Sequence, residues 1–131
     1  MVNKIVAFMV ILLLMWPCQG EAKRGLAPVT IETDDFKVTL KFDYGESKMD
    51  VELIYKKGVP ERFKRDFEPN AAWGADQATV KFLDKNGVEL SRVDFYMNST
   101  CTVEAGKLRC WDTAPITTSD YPRIVNVVVP A

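Results

Sequence analysis

The chain of 131 residues contains no histidine. Histidine is the commonest general base at neutral pH and the commonest zinc ligand, so its absence excludes Ser-His-Asp and Cys-His catalytic arrangements and most zinc sites. The sequence also lacks a glycine-rich phosphate loop and any metal-binding motif with the correct spacing. We therefore expect a protein that is not an enzyme, with no catalytic residues, no metal and no cofactor.

The sequence has no excess of one charge, since 17 basic and 18 acidic residues give a net charge of −1. Basic residues form no stripe with interleaved aromatics, which speaks against nucleic acid as a partner. Carboxylates cluster near the first predicted hairpin and could in principle serve a glycosidase or a weak calcium site. No spacing supports either role, so we interpret them as solvated turn residues. They are Asp34, Asp35, Asp43, Glu46 and Asp50.

The one long apolar run lies at the start of the chain, in residues 5–16, and follows Lys4. It is too short to span a bilayer, which takes about 20 residues. A basic start, an apolar stretch and small residues after it predict a secretory signal peptide in residues 1–20, cleaved after Gly20 or Ala22. We therefore expect an exported protein of the bacterial periplasm or the extracellular space.

Cysteine is scarce, with three residues in all, and the first of them, Cys18, lies in the leader. Lipid attachment at Cys18 is an alternative, although residues 15–17 are bulkier than such a site requires. The protein would contact a membrane only if Cys18 is lipidated or the leader is retained. Otherwise two cysteines remain in the mature chain, in a compartment where disulfides persist.

These two cysteines belong to one predicted hairpin. A two-residue turn at 105–106 would align residues 101–104 with residues 107–110 and place Cys101 directly opposite Cys110. Counted from the turn, Cys101 and Cys110 form a non-hydrogen-bonded pair of the hairpin. The Cα atoms of such a pair lie about 4.5 Å apart, within the range of about 4.4–6.8 Å that a disulfide needs. The sequence therefore predicts a structural Cys101–Cys110 disulfide.

Most of the remaining chain alternates apolar and polar residues, as half-buried antiparallel strands do. A long loop at 112–122 and a well-buried last strand at 123–129 follow the disulfide hairpin. The other predicted strands are 29–33, 36–43, 49–56, 77–84 and 88–97.

The spacing of these strands predicts an all-β fold, a single antiparallel β-sandwich of about seven strands with at most one short helix. This arrangement is similar in outline to immunoglobulin-like and fibronectin type III sandwiches, at the level of the fold only. Both cysteines lie in one hairpin, which differs from the long-range disulfide of antibody domains. We expect a flexible lead-in at residues 21–28 and one domain at residues 29–131.

The register of the hairpin at 77–97 has two solutions. Asn-Gly at 86–87 is a strong turn signal. A two-residue turn would place Val80 opposite Val93. A longer turn, ending in a bulged glycine, would place Phe82 opposite Leu90 and require a second bulge further along.

Residues 57–76 form the least regular region of the sequence, and within it residues 60–67 fit a short helix or an irregular edge strand about equally well. The segment 56–73 carries five basic residues beside three aromatic residues. Exposed aromatics beside arginines are typical of interface anchors. Alternatively, the aromatics plug one end of the sandwich. Trp111 is a second candidate, facing outward if Cys110 faces inward. The candidate binding residues are Arg62, Phe63, Arg65, Phe67, Trp73 and Trp111.

These features predict an exported, non-enzymatic protein that acts by binding or as an envelope accessory module. The partner would be another envelope or extracellular protein, or a surface polymer, bound through residues 56–73 or an exposed sheet edge. Alternatives are a secreted hydrolase inhibitor that presents the 101–110 hairpin, a subunit of a surface assembly, and a small glycoside-active enzyme. Asn98 begins a glycosylation sequon that matters only in a eukaryotic secretory pathway.

Overall fold

Alternating apolar and polar residues form eight strands in two antiparallel sheets in the computed structural model, which describes residues 26–69 and 76–130. The strands are β1 Val29–Glu32, β2 Phe36–Asp43, β3 Lys48–Tyr55, β4 Gln77–Leu83, β5 Glu89–Tyr96, β6 Cys101–Glu104, β7 Lys107–Pro115 and β8 Asn126–Val128. A 3-10 helix spans Glu61–Phe67 and a 3-10 turn spans Tyr121–Arg123.

One sheet has the strand order β1-β2-β3-β7-β6 and the other has the order β5-β4-β8. This arrangement does not show an immunoglobulin-like topology.

The predicted signal peptide with Cys18, and the candidate Trp73, lie outside the described residues. Of the predicted lead-in, the structure describes residues 26–28. Leu26 packs against the core, and the Ala27 carbonyl accepts a hydrogen bond of 2.8 Å from the Tyr121 hydroxyl. This part of the lead-in is therefore attached to the sheets.

Both sheets bury their inward faces in one apolar core. The alternation predicted for β2 and β3 is confirmed, because their inward residues are almost completely buried. Burial of each such side chain contributes about 1.5–3 kcal/mol to folding. Core residues of the larger sheet include Val38, Leu40, Met49 and Leu53, and those of the smaller sheet include Val80, Phe82 and Phe95.

The pairing of β3 with β7 joins the two halves of the larger sheet. Eight residue pairs run from Lys48–Pro115 to Tyr55–Leu108. β7 therefore continues to Pro115, beyond the end that the threonine- and proline-rich sequence predicted. Alternation persists there, since Ala114 is buried between exposed neighbours.

The disulfide hairpin is confirmed in register. Cys101 lies opposite Cys110, and the two residues form a disulfide. Their Cα atoms are 4.0 Å apart, closer than the expected distance of about 4.5 Å. Ala105 and Gly106 have φ angles of 52° and 77°. Two central residues with positive φ are typical of the type I′ turns that match the twist of a hairpin.

The hairpin at 77–97 combines the two predicted solutions. Val80 lies opposite Val93, as the two-residue turn required. The turn at 84–88 is nevertheless the longer kind, and a bulge at Leu90 absorbs the extra residue.

The side chain of Asp84 explains the longer turn. Its Oδ1 atom accepts hydrogen bonds from the backbone N–H groups of Asn86 and Val88, at 2.8 and 2.9 Å. Its Oδ2 atom accepts one from the Arg123 guanidinium at 2.9 Å. The Val88 N–H, with the Asn86 N–H and Arg123, lowers the pKa of this carboxyl group. Asp84 thus connects the turn to the segment that precedes β8.

The last strand differs from the prediction. Only Asn126–Val128 pairs with β4, as an edge strand, and Val125 and Val128 are about half exposed. β-branched residues favour a strand, but residues 121–124 instead turn to bury Tyr121 and Ile124 in the core.

Replacing Ala105 by asparagine should stabilise the protein by about 1 kcal/mol, because alanine is disfavoured in the left-handed conformation and Asn-Gly is preferred in this turn. Urea unfolding measures the change. Ala105→Val is the matched control and should destabilise the hairpin, since β-branched residues tolerate positive φ poorly. An asparagine variant no more stable than the wild type would contradict the assigned turn.

Lowering the pH should remove the contribution of the Asp84 carboxylate to the free energy of unfolding. Because its pKa is lower in the folded than in the unfolded state, its stabilisation is present above the unfolded pKa and is lost as pH falls through the folded pKa. The difference in unfolding free energy between wild type and Asp84→Asn should therefore shrink between about pH 5 and pH 2. Asp34→Asn, in an exposed loop, is the control, and equal acid profiles for the two variants would refute the role of Asp84.

Candidate functional site

Residues 61–67 of the basic segment 56–73 fold as a short helix around a buried aromatic residue. Pro60 precedes the 3-10 helix Glu61–Phe67, so the helical alternative for residues 60–67 is correct. Phe63 is completely buried, with its ring centroid 6.4 Å from that of Tyr55. The Tyr55 hydroxyl donates to the Pro130 carbonyl at 2.7 Å, and burial raises the pKa of Tyr55 to about 12. Phe63 therefore closes one end of the core and presents no contact surface.

In its described part, residues 56–69, this segment exposes mainly charged side chains. Arg62 and Arg65 are exposed, and the Arg62 guanidinium carbon lies 4.6 Å from the centroid of the Phe63 ring. Phe67 is half-buried and packs against the core. Beside the helix lies a depression of about 350 Å³, lined partly by apolar residues such as Val59.

Trp111 is placed differently, on the outer face of the larger sheet. Its neighbour Cys110 is fully buried, and β-strand alternation turns Trp111 outward with 45% of its surface exposed. Across the sheet it lies opposite Glu52 of β3, and its backbone N–H donates to the Thr100 carbonyl at 3.0 Å. The indole is thus presented by a central strand, held by partners on both sides.

Arg109 fixes the surroundings of the indole. Its guanidinium carbon lies 5.0 Å from the centroid of the Trp111 ring, and its Nε donates to Glu52 at 2.5 Å. Glu104 contacts the same guanidinium at 3.5 Å. The hydrogen bond to Glu52 is the main reason why the pKa of Arg109 is raised, so the guanidinium remains charged. A cation stacked on an aromatic face and held by carboxylates orders the side chains before any ligand arrives.

A trough of about 560 Å³ extends from Trp111 across β7, β3 and β2. Most of its lining residues end in polar or charged groups. The exceptions are Trp111 and Val51, and Val51 is itself buried. Lys41 and Asp50 are cross-strand partners on its floor, both exposed, and neither makes an ion pair with another described residue. The outer-face trough is lined by Thr39, Lys41, Asp50, Val51, Glu52, Thr100, Arg109, Trp111, Asp112 and Thr113.

The five clustered carboxylates are not brought together. Asp34 and Asp35 lie before β2, whereas Asp43 follows at its other end, about 25 Å away for a strand of this length. Asp35 forms an ion pair with Lys57 at 2.9 Å, and Asp43 accepts the Gly45 N–H at 3.0 Å. Within residues 26–69 and 76–130, no group of three His, Cys, Asp or Glu side chains is arranged to hold a metal ion.

The tip of the disulfide hairpin lies beside another turn. A Cβ atom at Gly58 would be 3.4 Å from the Gly106 carbonyl oxygen. The turn at residues 57–58 therefore passes close to Gly106, although residues 103–107 of the hairpin remain exposed.

Sheet edges in the described part of the chain offer little for strand addition. β1, β6 and β8 have four, four and three residues, and short edge strands resist edge-to-edge pairing. The longer edge strand β5 lies against β7, where Ser91 Oγ donates to the Pro115 carbonyl at 2.5 Å.

Sequence reasoning identified Trp111 but missed the rest of the trough. Thr39, Lys41 and Asp50 lie on the polar faces of β2 and β3, and only the pairing of β3 with β7 brings them beside Trp111. Their polar alternation was the available signal, but it does not indicate which strand lies alongside.

No protein-family model matches this chain, and no curated protein or solved structure matches it. Among the helices of the described residues, none has the length and apolar character needed to cross a membrane.

The disulfide should stabilise the hairpin that carries Trp111. Cys101 and Cys110 close a short loop with a sequence separation of 9, so reduction should lower the free energy of unfolding by about 2–3 kcal/mol in the chain-entropy model. Urea unfolding with and without dithiothreitol measures the loss. The Cys101→Ala/Cys110→Ala double variant is the control and should not respond to the reductant. An unchanged wild-type midpoint after verified reduction would contradict the stabilising role.

Proposed function

We propose that this chain is an exported, non-enzymatic protein that binds a partner through the outer-face trough around Trp111. The observation that carries the proposal is the exposed indole of Trp111, held beside the Arg109 guanidinium on a central strand. Tryptophan and arginine are the residues most enriched among binding hot spots. The leader in residues 1–20 supports export to the periplasm or beyond.

The partner in this proposal is another envelope or extracellular protein, or a surface polymer. At the level of the fold, we propose that the two sheets are the layers of a β-sandwich, immunoglobulin-like in outline, that serves as a rigid scaffold. Rigid strands suit this role because a site on central strands is held more precisely than one on loops. The proposal includes no cofactor and no nucleic acid partner.

The trough is preferred to the basic segment 56–73 for a physical reason. In that segment Phe63 is buried and Phe67 is half-buried against the core. Arg62 and Arg65 therefore present charge, and no aromatic side chain among the described residues of the segment is as exposed as Trp111. Isolated surface charges contribute little to affinity. In the trough, by contrast, the aromatic anchor is itself exposed.

The surroundings of the 101–110 hairpin also favour the trough over a hydrolase-inhibitor role. An inhibitory loop must enter an active site, and the turn at Gly58, which lies close to Gly106, would have to enter with it.

Trp111→Ala should reduce binding of the mature chain to cell-surface material of its source organism by about tenfold or more, because hot-spot truncations cost this much. Co-sedimentation with washed envelope material over a range of protein concentrations measures the affinity. Tyr96→Ala is the matched control, since Tyr96 is exposed to a similar degree but lies on β5 of the other sheet. Equal retention of the Trp111 variant and the wild type would refute the proposal.

A further inference from the structure

The geometry points to a neutral glycan as the ligand of the outer-face trough, with the Trp111 indole stacked on a sugar ring and the Lys41–Asp50 pair bonded to two adjacent hydroxyl groups. This inference rests on the proposed function and names its ligand class. The chemistry of the lining, its charge balance and its dimensions each support it.

The lining matches a molecule that is apolar on one face and rich in hydroxyl groups at its edges. A sugar ring has this character, because its axial C–H groups form an apolar face that stacks on an aromatic ring. Trp111 supplies the exposed aromatic ring of the trough, and its neighbours add hydroxyl, carboxylate, ammonium and guanidinium groups carried on apolar side-chain stems. Protein interfaces, in contrast, are depleted of charged residues at their centres.

The charges of the trough favour a neutral ligand. Its lining contains two basic residues and three carboxylates, and the Arg109 guanidinium is already engaged by Glu52 and Glu104. An acidic polymer would meet no free excess of positive charge there. A neutral polyol instead benefits from donors and acceptors placed side by side.

Lys41 and Asp50 provide such a pair. They are cross-strand neighbours in the register of β2 and β3, so their side chains emerge from one face about 5 Å apart. An ammonium group donates and a carboxylate accepts, so together they can bond two neighbouring hydroxyl groups. Neither is held in an ion pair with another described residue.

The dimensions allow more than one sugar unit. From β7 to β2 the trough spans two inter-strand spacings, about 10 Å, and Lys41 lies one side-chain row, about 7 Å, further along. A ring stacked on Trp111 would therefore be followed by a second unit near Lys41 and Asp50. The ligand class is an oligosaccharide or a polysaccharide chain.

The decisive experiment divides washed envelope material into three portions: untreated, digested with proteinase K, and oxidised with periodate, which cleaves carbon–carbon bonds between adjacent hydroxyl-bearing carbons. After the reagents are removed, co-sedimentation of the wild-type chain is measured on each portion. We expect retention to survive the protease and to be lost after periodate. Retention that is lost after protease digestion, or that is unchanged by periodate, overturns the glycan assignment.

Salt and paired variants test the details. Retention should change less than about twofold between about 0.05 and 0.5 M NaCl, because no net charge is neutralised. A steep fall in retention would indicate an acidic polymer and overturn the inference.

Lys41→Gln and Asp50→Asn should each weaken retention several-fold with unchanged urea midpoints. Lys81→Gln, on the outer face of the other sheet, is the control. If the Lys41 and Asp50 variants are retained as well as this control, these two residues do not contact the ligand and the assignment of the pair is wrong.

The glycan assignment and the proposed function fail in different ways. Retention that depends on Trp111 but is destroyed by protease would leave the trough as a protein-binding site and refute the glycan alone. Retention that does not depend on Trp111 would refute the trough as the binding site, whatever the chemistry of the ligand.

Discussion

The pairing of β3 with β7 is the constraint on which the rest of the structure depends. It connects residues 53 to 67 positions apart through eight residue pairs, from Tyr55–Leu108 to Lys48–Pro115. It places Leu53 beside the buried Cys110 on the inner face, and on the outer face it places Glu52 beside Trp111. A shift of one residue would exchange the two faces, expose the core side chains and separate Glu52 from Arg109. Packing and the trough are therefore fixed by the same register.

Local patterns predicted most of the strands, because apolar and polar residues alternate along a half-buried strand and this alternation is visible in the sequence. The Cys101–Cys110 hairpin was predicted down to its residue pairs, since turn, disulfide and register agreed within ten residues. At 123–129 local propensity failed, because the burial of Tyr121 outweighed the preference of valines for a strand. β-propensity depends on what a surface packs against, and this information is not local.

The candidate site shows the same division. Trp111 and its outward orientation followed from its position after Cys110, whereas the role of Phe63 did not follow from its sequence. An aromatic residue between arginines can anchor an interface or close a core, and only its neighbour Tyr55 distinguishes the two. The polar partners of Trp111 come from strands whose order in the sheet is a long-range property. Sequence patterns identified the anchor but not its surroundings.

Two tyrosine hydroxyls join distant parts of the chain. Tyr121 donates to Ala27 across 94 positions, and Tyr55 donates to Pro130 across 75. Contacts of such separation form late, because the entropy of closing a long loop must be overcome first. A chain that lacked residues 121–130 would also lack the buried side chains of Tyr121, Ile124 and Val127. The inner faces of the sheets would then be incompletely covered, so the packing of the core depends on the last segment of the domain to be joined to it.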